Sequence, residues 1–356
     1  MPDLILGNSN KRFSGVTSTL LQVLSREQNL ASVVVFGRTN PDITIPVWGW
    51  RRTLAYLKKN RNNPPVFHAR RNDEMIQALI LRFLSRAKMK IVFTSTAQRS
   101  HTRFSRWLMS RMDRVITTCE AAATYLREHR EPDHIIPHGI DTSRYSPSET
   151  SGEEQLRALG IAGKRAVGIF GRVRPSKGVD ILVEAMIPVL QEFEDVVLVV
   201  VGECLPKDES YQRKLQETLR TSGLEDRSLF LGKQPFERLP DLFRAMSVVA
   251  ALSRSEGFGL TVLEAMASGV PVVTSEAGAW KEVVRQEVDG LVCPTGDSEQ
   301  VRAALFQLLQ DPGLAREMGA SGRARILSHY TIEREAEELT SYLLSLRDGR
   351  APSRCR

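Results

Sequence analysis

Hydrophobic positions along this chain fall into two textures. Short unbroken apolar runs occur as LIL (4–6), ASVVVF (31–36), VFH (66–68), KIVFTS (90–95) and RVITT (114–118). Between them lie longer stretches, VTSTLLQVL and MIQALILRFL among them, whose apolar residues recur every three or four positions. Unbroken runs suit strands buried on both faces, and the 3.6-residue period suits helices with one packed side. Their alternation predicts a parallel, doubly wound α/β domain over residues 1–150. The pattern restarts at Ala166 with AVGIF, passes through VVLVVVGEC and SVVAALS, and runs to about Val292 before terminal helices take over. A second doubly wound domain is therefore predicted over 165–329. Between the two, HIIPHGIDTSRYSP carries turn residues Pro137, Gly139 and Pro147, and SETSGEEQLRALG reads as a short polar helix or linker. The boundary is accordingly placed near 147–164, with 151–164 as linker.

A chain of 356 residues, 42% apolar and 26% charged, is long enough for two cores and is neither disordered nor fibrous in composition. No apolar run approaches the roughly 18 to 20 residues that span a bilayer. The start, MPDLILGNSN, lacks a basic region ahead of a long apolar stretch and reads as a first strand, which predicts a cytoplasmic protein. Cysteines 119, 204, 293 and 355 show no metal-ligand spacing and are expected to be reduced thiols. Net charge is +7, but residues 1–150 hold 23 Lys and Arg against 12 Asp and Glu, or +11, so the remainder carries −4. A basic first half points to an anionic partner. Zinc-finger spacing and aromatic RNP-like strands are absent, which disfavours nucleic acid. An anionic membrane surface or a phosphorylated glycolipid fits better.

Two segments carry candidate chemistry. In EGFGLTVLE, Glu256 and Glu264 stand eight positions apart around a Gly257-Phe258-Gly259 turn that opens a helix near Leu260. Glycines admit a ligand close to backbone, and a helix N-terminus presents unpaired N–H groups to phosphate. Glu264, one or two turns on, is suited to accept hydrogen bonds from sugar hydroxyls. A surface helix with two solvated acids is the competing reading. The other segment, RAVGIFGRVRPSKGVDILVEAM, is a strand, a loop and an amphipathic helix from about Val179. Arg172, Arg174 and Lys177 gather at the strand's carboxyl end, where they suit a diphosphate; a merely solvated loop is again the alternative.

Together, Gly171-Arg172 with Lys177-Gly178 and Glu256 with Glu264 resemble the G-R-x-x-x-x-K-G and E-x7-E motifs of the retaining glycosyltransferases of family 4. The order of strands, turns and helices from Ala166 to Leu343 resembles that family too. The resemblance implies a GT-B fold, two Rossmann-like doubly wound domains facing across a cleft, with a helix near 330–345 crossing back to the first domain. It implies that Arg172 and Lys177 neutralise the leaving diphosphate of a nucleotide sugar. Gly257, Phe258, Gly259 and Leu260 would give backbone N–H groups to phosphate, Glu264 would hold the ribose and Glu256 would meet the donor sugar. Retention of configuration is implied, by front-face attack with the diphosphate as base, and neither metal nor further cofactor is required.

The first half resembles the family more weakly. Gly15, in SNKRFSGVTST, stands where a glycine admits donor phosphate or acceptor, and a capping turn is the other reading. The family's T-x-H is replaced by Thr94-Ser95-Thr96, so His101 is the candidate for the histidine's catalytic role. Arg99, Arg103 and Arg106 are expected on one helical face, with Phe104, Trp107, Leu108 and Met112 opposite. Such a helix either rests on a membrane interface or packs its apolar side into the core, leaving arginines for an anionic acceptor. His68, Arg70 and Arg71 form a second candidate acceptor cluster. HGIDTSRY resembles the family's N-G-x-D-x-x-x-F, with His138 in place of Asn. SGVTST, HARRN, FTSTAQRSHT and HGIDT most resemble bacterial mannosyltransferases of the lipopolysaccharide inner core. These use GDP-mannose and a Kdo-containing acceptor, here an anionic glycolipid such as Kdo-lipid A. The enzyme would then sit loosely on the inner face of the cytoplasmic membrane. The rivals are a family 4 enzyme using UDP-glucose or another donor, a different GT-B activity such as a nucleotide-sugar epimerase or a phosphorylase, a non-catalytic GT-B-like binding subunit, and a nicotinamide-dependent oxidoreductase. The last lacks a G-x-G-x-x-G turn after its first strand.

Overall fold

The computed structural model describes residues 1–9, 15–39 and 43–349. The chain forms two compact units, Met1–Gly139 with the chain from Thr331 onward, and Ile140–Tyr330.

The first unit holds β1 (Leu4–Asn8), α1 (Gly15–Leu30), β2 (Val33–Gly37), β3 (Val47–Trp48), α2 (Trp50–Lys59) and β4 (Val66–Ala69). There follow α3 (Asn72–Ser85), β5 (Ile91–Ser95), α4 (Arg103–Met109), β6 (Arg114–Thr117), α5 (Glu120–Arg127) and β7 (His134–Ile135). The strands pair in parallel in the order β3-β2-β1-β4-β5-β6-β7. Residues of β1 explain why its run is unbroken. Ile5 joins a core shared with α2, α3 and α4, while Leu4 and Leu6 join the one on the sheet's other face. Both faces are covered, so most strand positions are apolar on either side, and the polar exceptions such as Asn8 and His68 are buried.

The second unit contains α6 (Gly152–Ala158), β8 (Arg165–Phe170), α7 (Val179–Glu192), β9 (Val196–Val201), α8 (Glu209–Thr221), β10 (Ser228–Gly232) and α9 (Leu239–Arg244). Next come β11 (Val248–Ala251), α10 (Leu260–Ala267), β12 (Val272–Ser275), α11 (Trp280–Val283), β13 (Gly290–Cys293), α12 (Ser298–Gln310) and α13 (Pro312–His329). Its sheet is parallel, ordered β10-β9-β8-β11-β12-β13. The winding reverses between β8 and β11, so the loops leaving these two strands open apart at their carboxyl ends. That is the place where doubly wound sheets take ligands. The chain returns to the first unit at Thr331, and α14 (Ile332–Arg347) packs there against α1, with Ile332, Leu339 and Leu343 in the core.

The boundary differs from the expected one. It falls between Gly139 and Ile140, and 151–164 is not a linker. Ser151 and Glu154 form a reciprocal capping box on α6, Leu156 is fully buried and Ile161 nearly so. Two apolar anchors in a polar stretch suffice to dock a short helix, and the surrounding charges concealed them. The strand at Val47–Trp48 and the helix over WRRTLAYLKK were likewise not legible, because four basic residues mask the buried pair Thr53 and Leu57.

Candidate active site

The site motifs of the second unit meet at the β8/β11 switch. After β8 the chain runs through Gly171 and Arg172 into a single 3-10 turn, Pro175–Lys177, closed by Gly178. Gly178 has φ 69°, and a side chain there would collide with the Leu252 carbonyl at the end of β11. The loop is therefore seated directly on the neighbouring strand's exit. Arg254 locks the seat. Its guanidinium pairs with both oxygens of Asp180 at 2.9 and 2.7 Å, and its N–H donates to the Ser176 carbonyl at 2.9 Å. Tyr211 also donates to Asp180, at 2.8 Å. The arginine hydrogen bonds hold the Asp180 carboxyl below its usual range against the opposing effect of burial.

Across this seat Lys177 Nζ makes an ion pair with Glu256 Oε2. The other Glu256 oxygen accepts from the Gly257 N–H at 3.2 Å, and the Ser253 hydroxyl lies 3.4 Å from Oε2. Arg172 beside them is exposed and engages no hydrogen bond or ion pair among the described residues. A cation left uncompensated at a switch point, next to one held by a carboxylate, is an arrangement for binding an anion.

The turn at 257–260 is held from beneath. Phe258 is buried and its carbonyl accepts from the Ala279 N–H at 3.2 Å. Gly259 has φ 89°, and its carbonyl accepts from the indole of buried Trp280 at 2.9 Å. A side chain at 259 would overlap that indole. Among the described residues no side chain caps α10, so its N-terminal turn points N–H groups into the switch-point opening. One turn into α10, Glu264 accepts from the Tyr145 hydroxyl at 3.1 Å. Glu264 keeps some accessible surface, yet its carboxyl lies deep enough that burial pushes it up to about 7; the Tyr145 hydrogen bond and the Arg144 charge pull it down. Tyr145 is fully buried and its own pKa is driven well above the usual tyrosine value, first by burial and then by Glu264. Arg323 of α13 fixes this partnership, donating to the carbonyls of Tyr145 (2.7 Å) and Ala267 (2.6 Å). Arg254, Trp280, Tyr145 and Arg323 were not among the candidates. Only Tyr145 left a signal, as the aromatic closing HGIDTSRY.

In the first unit the candidates scatter. Gly15 opens α1, but the turn before it (10–14) lies outside the described residues, as does Cys355. His68 is corrected: it is buried in β4 and its Nε2 lies 2.6 Å from the Thr94 hydroxyl, so no acceptor reaches it from solvent. Burial and the Arg70 charge lower its pKa and keep the ring neutral. Arg70 and Arg71 stand at the β4–α3 junction, where the Arg70 N–H donates to buried Glu74 at 2.7 Å. His101 is half-buried, 3.0 Å from the Ser95 hydroxyl, with the His129 ring edge-on at 5.1 Å. Burial first, then His129 and Arg106, lower its pKa, which leaves a neutral imidazole at pH 7.

The basic amphipathic helix is also corrected. α4 starts at Arg103, so Arg99 precedes it and shares no helical face with the others, although both Arg99 and Arg103 are exposed. Arg106 is tied to the His101 carbonyl (2.9 Å) and Glu128 (3.2 Å). Leu108 and Met112 are buried as expected, but Phe104 and Trp107 are 54% and 51% exposed. A helix of two turns can offer the core only one narrow stripe, and Leu108 and Met109 occupy it.

Comparison with known proteins agrees with this geometry. Residues 152–325 match the glycosyl transferases group 1, and residues 16–144 match Glycosyltransferase Family 4. A lipopolysaccharide core biosynthesis mannosyltransferase, LpcC of Rhizobium leguminosarum bv. viciae, is 37% identical, over 97% of this chain and 98% of that protein. Its counterpart LpsB of Rhizobium meliloti is 38% identical over 97% of each. The fold is shared with HepE of Anabaena, solved with UDP, at TM-score 0.84 and 22% identity over 97% of this chain and 100% of that one. Two parallel Rossmann-like units, the donor-type motifs at the second unit's switch point and similarity over nearly the whole chain establish the identity: this protein is a GT-B glycosyltransferase and belongs to family 4.

Proposed function

We propose that this enzyme transfers mannose from GDP-mannose, with retention, to the Kdo-containing inner core of lipopolysaccharide. The observation that carries the donor half is the grouping of Arg172, Lys177, the uncapped start of α10 and Glu264 around one opening of the second unit. It supplies two cations and a helix terminus for a diphosphate and a carboxylate for ribose hydroxyls. The similarity to two lipopolysaccharide core mannosyltransferases supports mannose as the sugar and a lipopolysaccharide core as the acceptor. The +11 charge of residues 1–150 suits an acceptor bearing carboxylates and phosphates, and peripheral contact with an anionic membrane.

In this reading the bond between the anomeric carbon and the diphosphate oxygen breaks as the acceptor hydroxyl attacks from the same face. The departing phosphate oxygen takes the hydroxyl proton. Arg172 and Lys177 stabilise the charge growing on the leaving group, so a metal is not required. Glu256, held by Lys177, is released toward the donor sugar when the diphosphate takes the lysine. Calorimetric titration with GDP, UDP and ADP, followed by turnover of GDP-mannose with Kdo-lipid A, tests the proposal. Preference for GDP and an α-linked product are expected. Tighter binding of UDP or ADP removes the mannose donor, and no nucleotide binding removes the site.

A further inference from the structure

The cluster left unexplained by the donor site is an exposed apolar patch in the first unit. Helices α2, α3 and α4 form one layer over a single sheet face, since Leu57, Met75, Ala78, Leu81, Leu108 and Met109 share one core. α3 lies between the other two. Its inward stripe is Met75, Ala78, Leu81 and Ser85, so Ile80, Phe83 and Leu84 face away from the sheet, with Phe83 82% exposed. The Asn72–Ser105 hydrogen bond (2.8 Å) and the bond from Arg82 to the Arg111 carbonyl (3.1 Å) lay α4 alongside α3 over its length. On α4, Phe104 and Trp107 stack with ring centroids 6.1 Å apart, and Arg111 lies over the Trp107 ring at 5.6 Å. Five large apolar side chains on adjoining outer surfaces are more than scattered exposure explains.

Charge identifies the occupant. Residues 43–112 contain fifteen Lys and Arg and two acids, and one of those acids, Glu74, is buried. α2 carries Arg51, Arg52, Lys58 and Lys59, all exposed, and no acid. The Lys88 N–H donates to the Arg61 carbonyl at 3.0 Å, which brings the end of α2 beside the end of α3. The end of α2, which carries Lys58 and Lys59, and the end of α4, near Arg111, thus lie on either side of the end of α3, which carries Phe83 and Leu84. Aromatic rings that sit at the headgroup level within a ring of cations match an anionic lipid surface, which accepts both at once. Among the described residues no helix is long and apolar enough to cross a membrane.

We infer that the outer face of α2, α3 and α4 is a docking surface for an anionic bilayer, with Phe83, Phe104 and Trp107 entering the interface and Lys58, Lys59 and Arg111 meeting lipid phosphates. This deepens the proposed function by naming the surface that brings the enzyme to a membrane-held acceptor, and it rests on that reading for its purpose. Its test needs no substrate. The purified full chain is sedimented with vesicles of phosphatidylcholine alone and of phosphatidylcholine with phosphatidylglycerol, at low and high salt. Binding to the anionic vesicles, weakened by salt, is expected. Each cation near such a surface is worth about fivefold in partition, so Lys58→Ser, Lys59→Ser and Arg111→Ser together lower it about a hundredfold. Phe83→Ser with Trp107→Ser abolishes the binding that survives high salt, while calorimetric GDP affinity and the melting temperature stay unchanged. Equal partition to both vesicle types, or wild-type partition of either variant, overturns the inference, as does binding to single-stranded nucleic acid in place of vesicles. Loss of GDP binding in the wild type would remove the donor site and leave this surface standing.

Discussion

Replacing Tyr145 by Phe removes one oxygen and leaves the ring, which stays packed edge-on against Phe243 at 5.8 Å. It also brings the segment to the phenylalanine of the family pattern that HGIDTSRY resembles. The lost contact is the hydrogen bond to Glu264 Oε1 at 3.1 Å. A hydrogen bond to a charged group contributes about 1.5–3 kcal/mol, and here it favours the carboxylate over the acid. Burial already pushes Glu264 up to about 7 and the tyrosine pulls it down, so the variant's pKa rises further. Only the ionised carboxylate accepts from two ribose hydroxyls without first giving up a proton of its own. At pH 8 the wild type is mostly ionised and the variant much less so, which weakens GDP binding about 2- to 15-fold. At pH 6 the ionised fractions differ most, by about 10- to 100-fold, and the difference shrinks as the pH rises past both midpoints and both carboxyls ionise. Calorimetric titration of GDP between pH 6 and 9 reads this as a rise in affinity whose midpoint moves upward in Tyr145→Phe. An unmoved midpoint with unchanged affinity at pH 8 would show that Glu264 does not hold the ribose or that Tyr145 does not tune it.

Arg172→Ala and Lys177→Ala each lower turnover about 10²- to 10³-fold with an unchanged melting temperature; near-normal rates would place the leaving group elsewhere. Gly259→Ala meets both a positive φ and the Trp280 indole, and is expected to cost about 1–3 kcal/mol in urea unfolding and to lose GDP affinity; wild-type stability would mean that the turn relaxes freely. Glu27 in α1 is fully buried, neither oxygen has a hydrogen-bond partner among the described residues, and burial pushes it up to about 7 against the pull of Arg70. Because its folded pKa is raised, its stabilising proton is fully bound below the unfolded value near 4.5 and lost as pH rises through about 7. The wild type thus loses about 3 kcal/mol between pH 4.5 and 8 that Glu27→Gln does not lose, and chemical unfolding of the pair at both pH values should show the gap; a constant difference would mean that Glu27 titrates normally.

Local residue order determined the two parallel sheets, because strands covered on both faces and helices with one packed side leave period signals of their own. It also placed Arg172, Lys177, Glu256 and Glu264, since short loops leaving adjacent strands converge whatever surrounds them. Pairings across long separations were out of its reach. Lys177 and Glu256 stand 79 positions apart and Tyr145 and Glu264 stand 119 apart, and neither sequence segment contains anything that names its partner. Burial was the other undetermined quantity. VFHARR and FSRWLM each mix apolar and basic residues, and composition cannot say which side of a two-turn helix meets the sheet. Packing decided it: His68 turns to Thr94 on the sheet face away from the α2–α3–α4 layer, and that layer leaves Phe104 and Trp107 outside. The domain boundary followed the same rule. Leu156 and Ile161 drew 151–164 into the second unit, because burying two side chains outweighs the solubility of the charges around them. Sequence thus determined what lies near in the chain or repeats with a period, and tertiary structure decided which distant groups meet and which face is left to solvent.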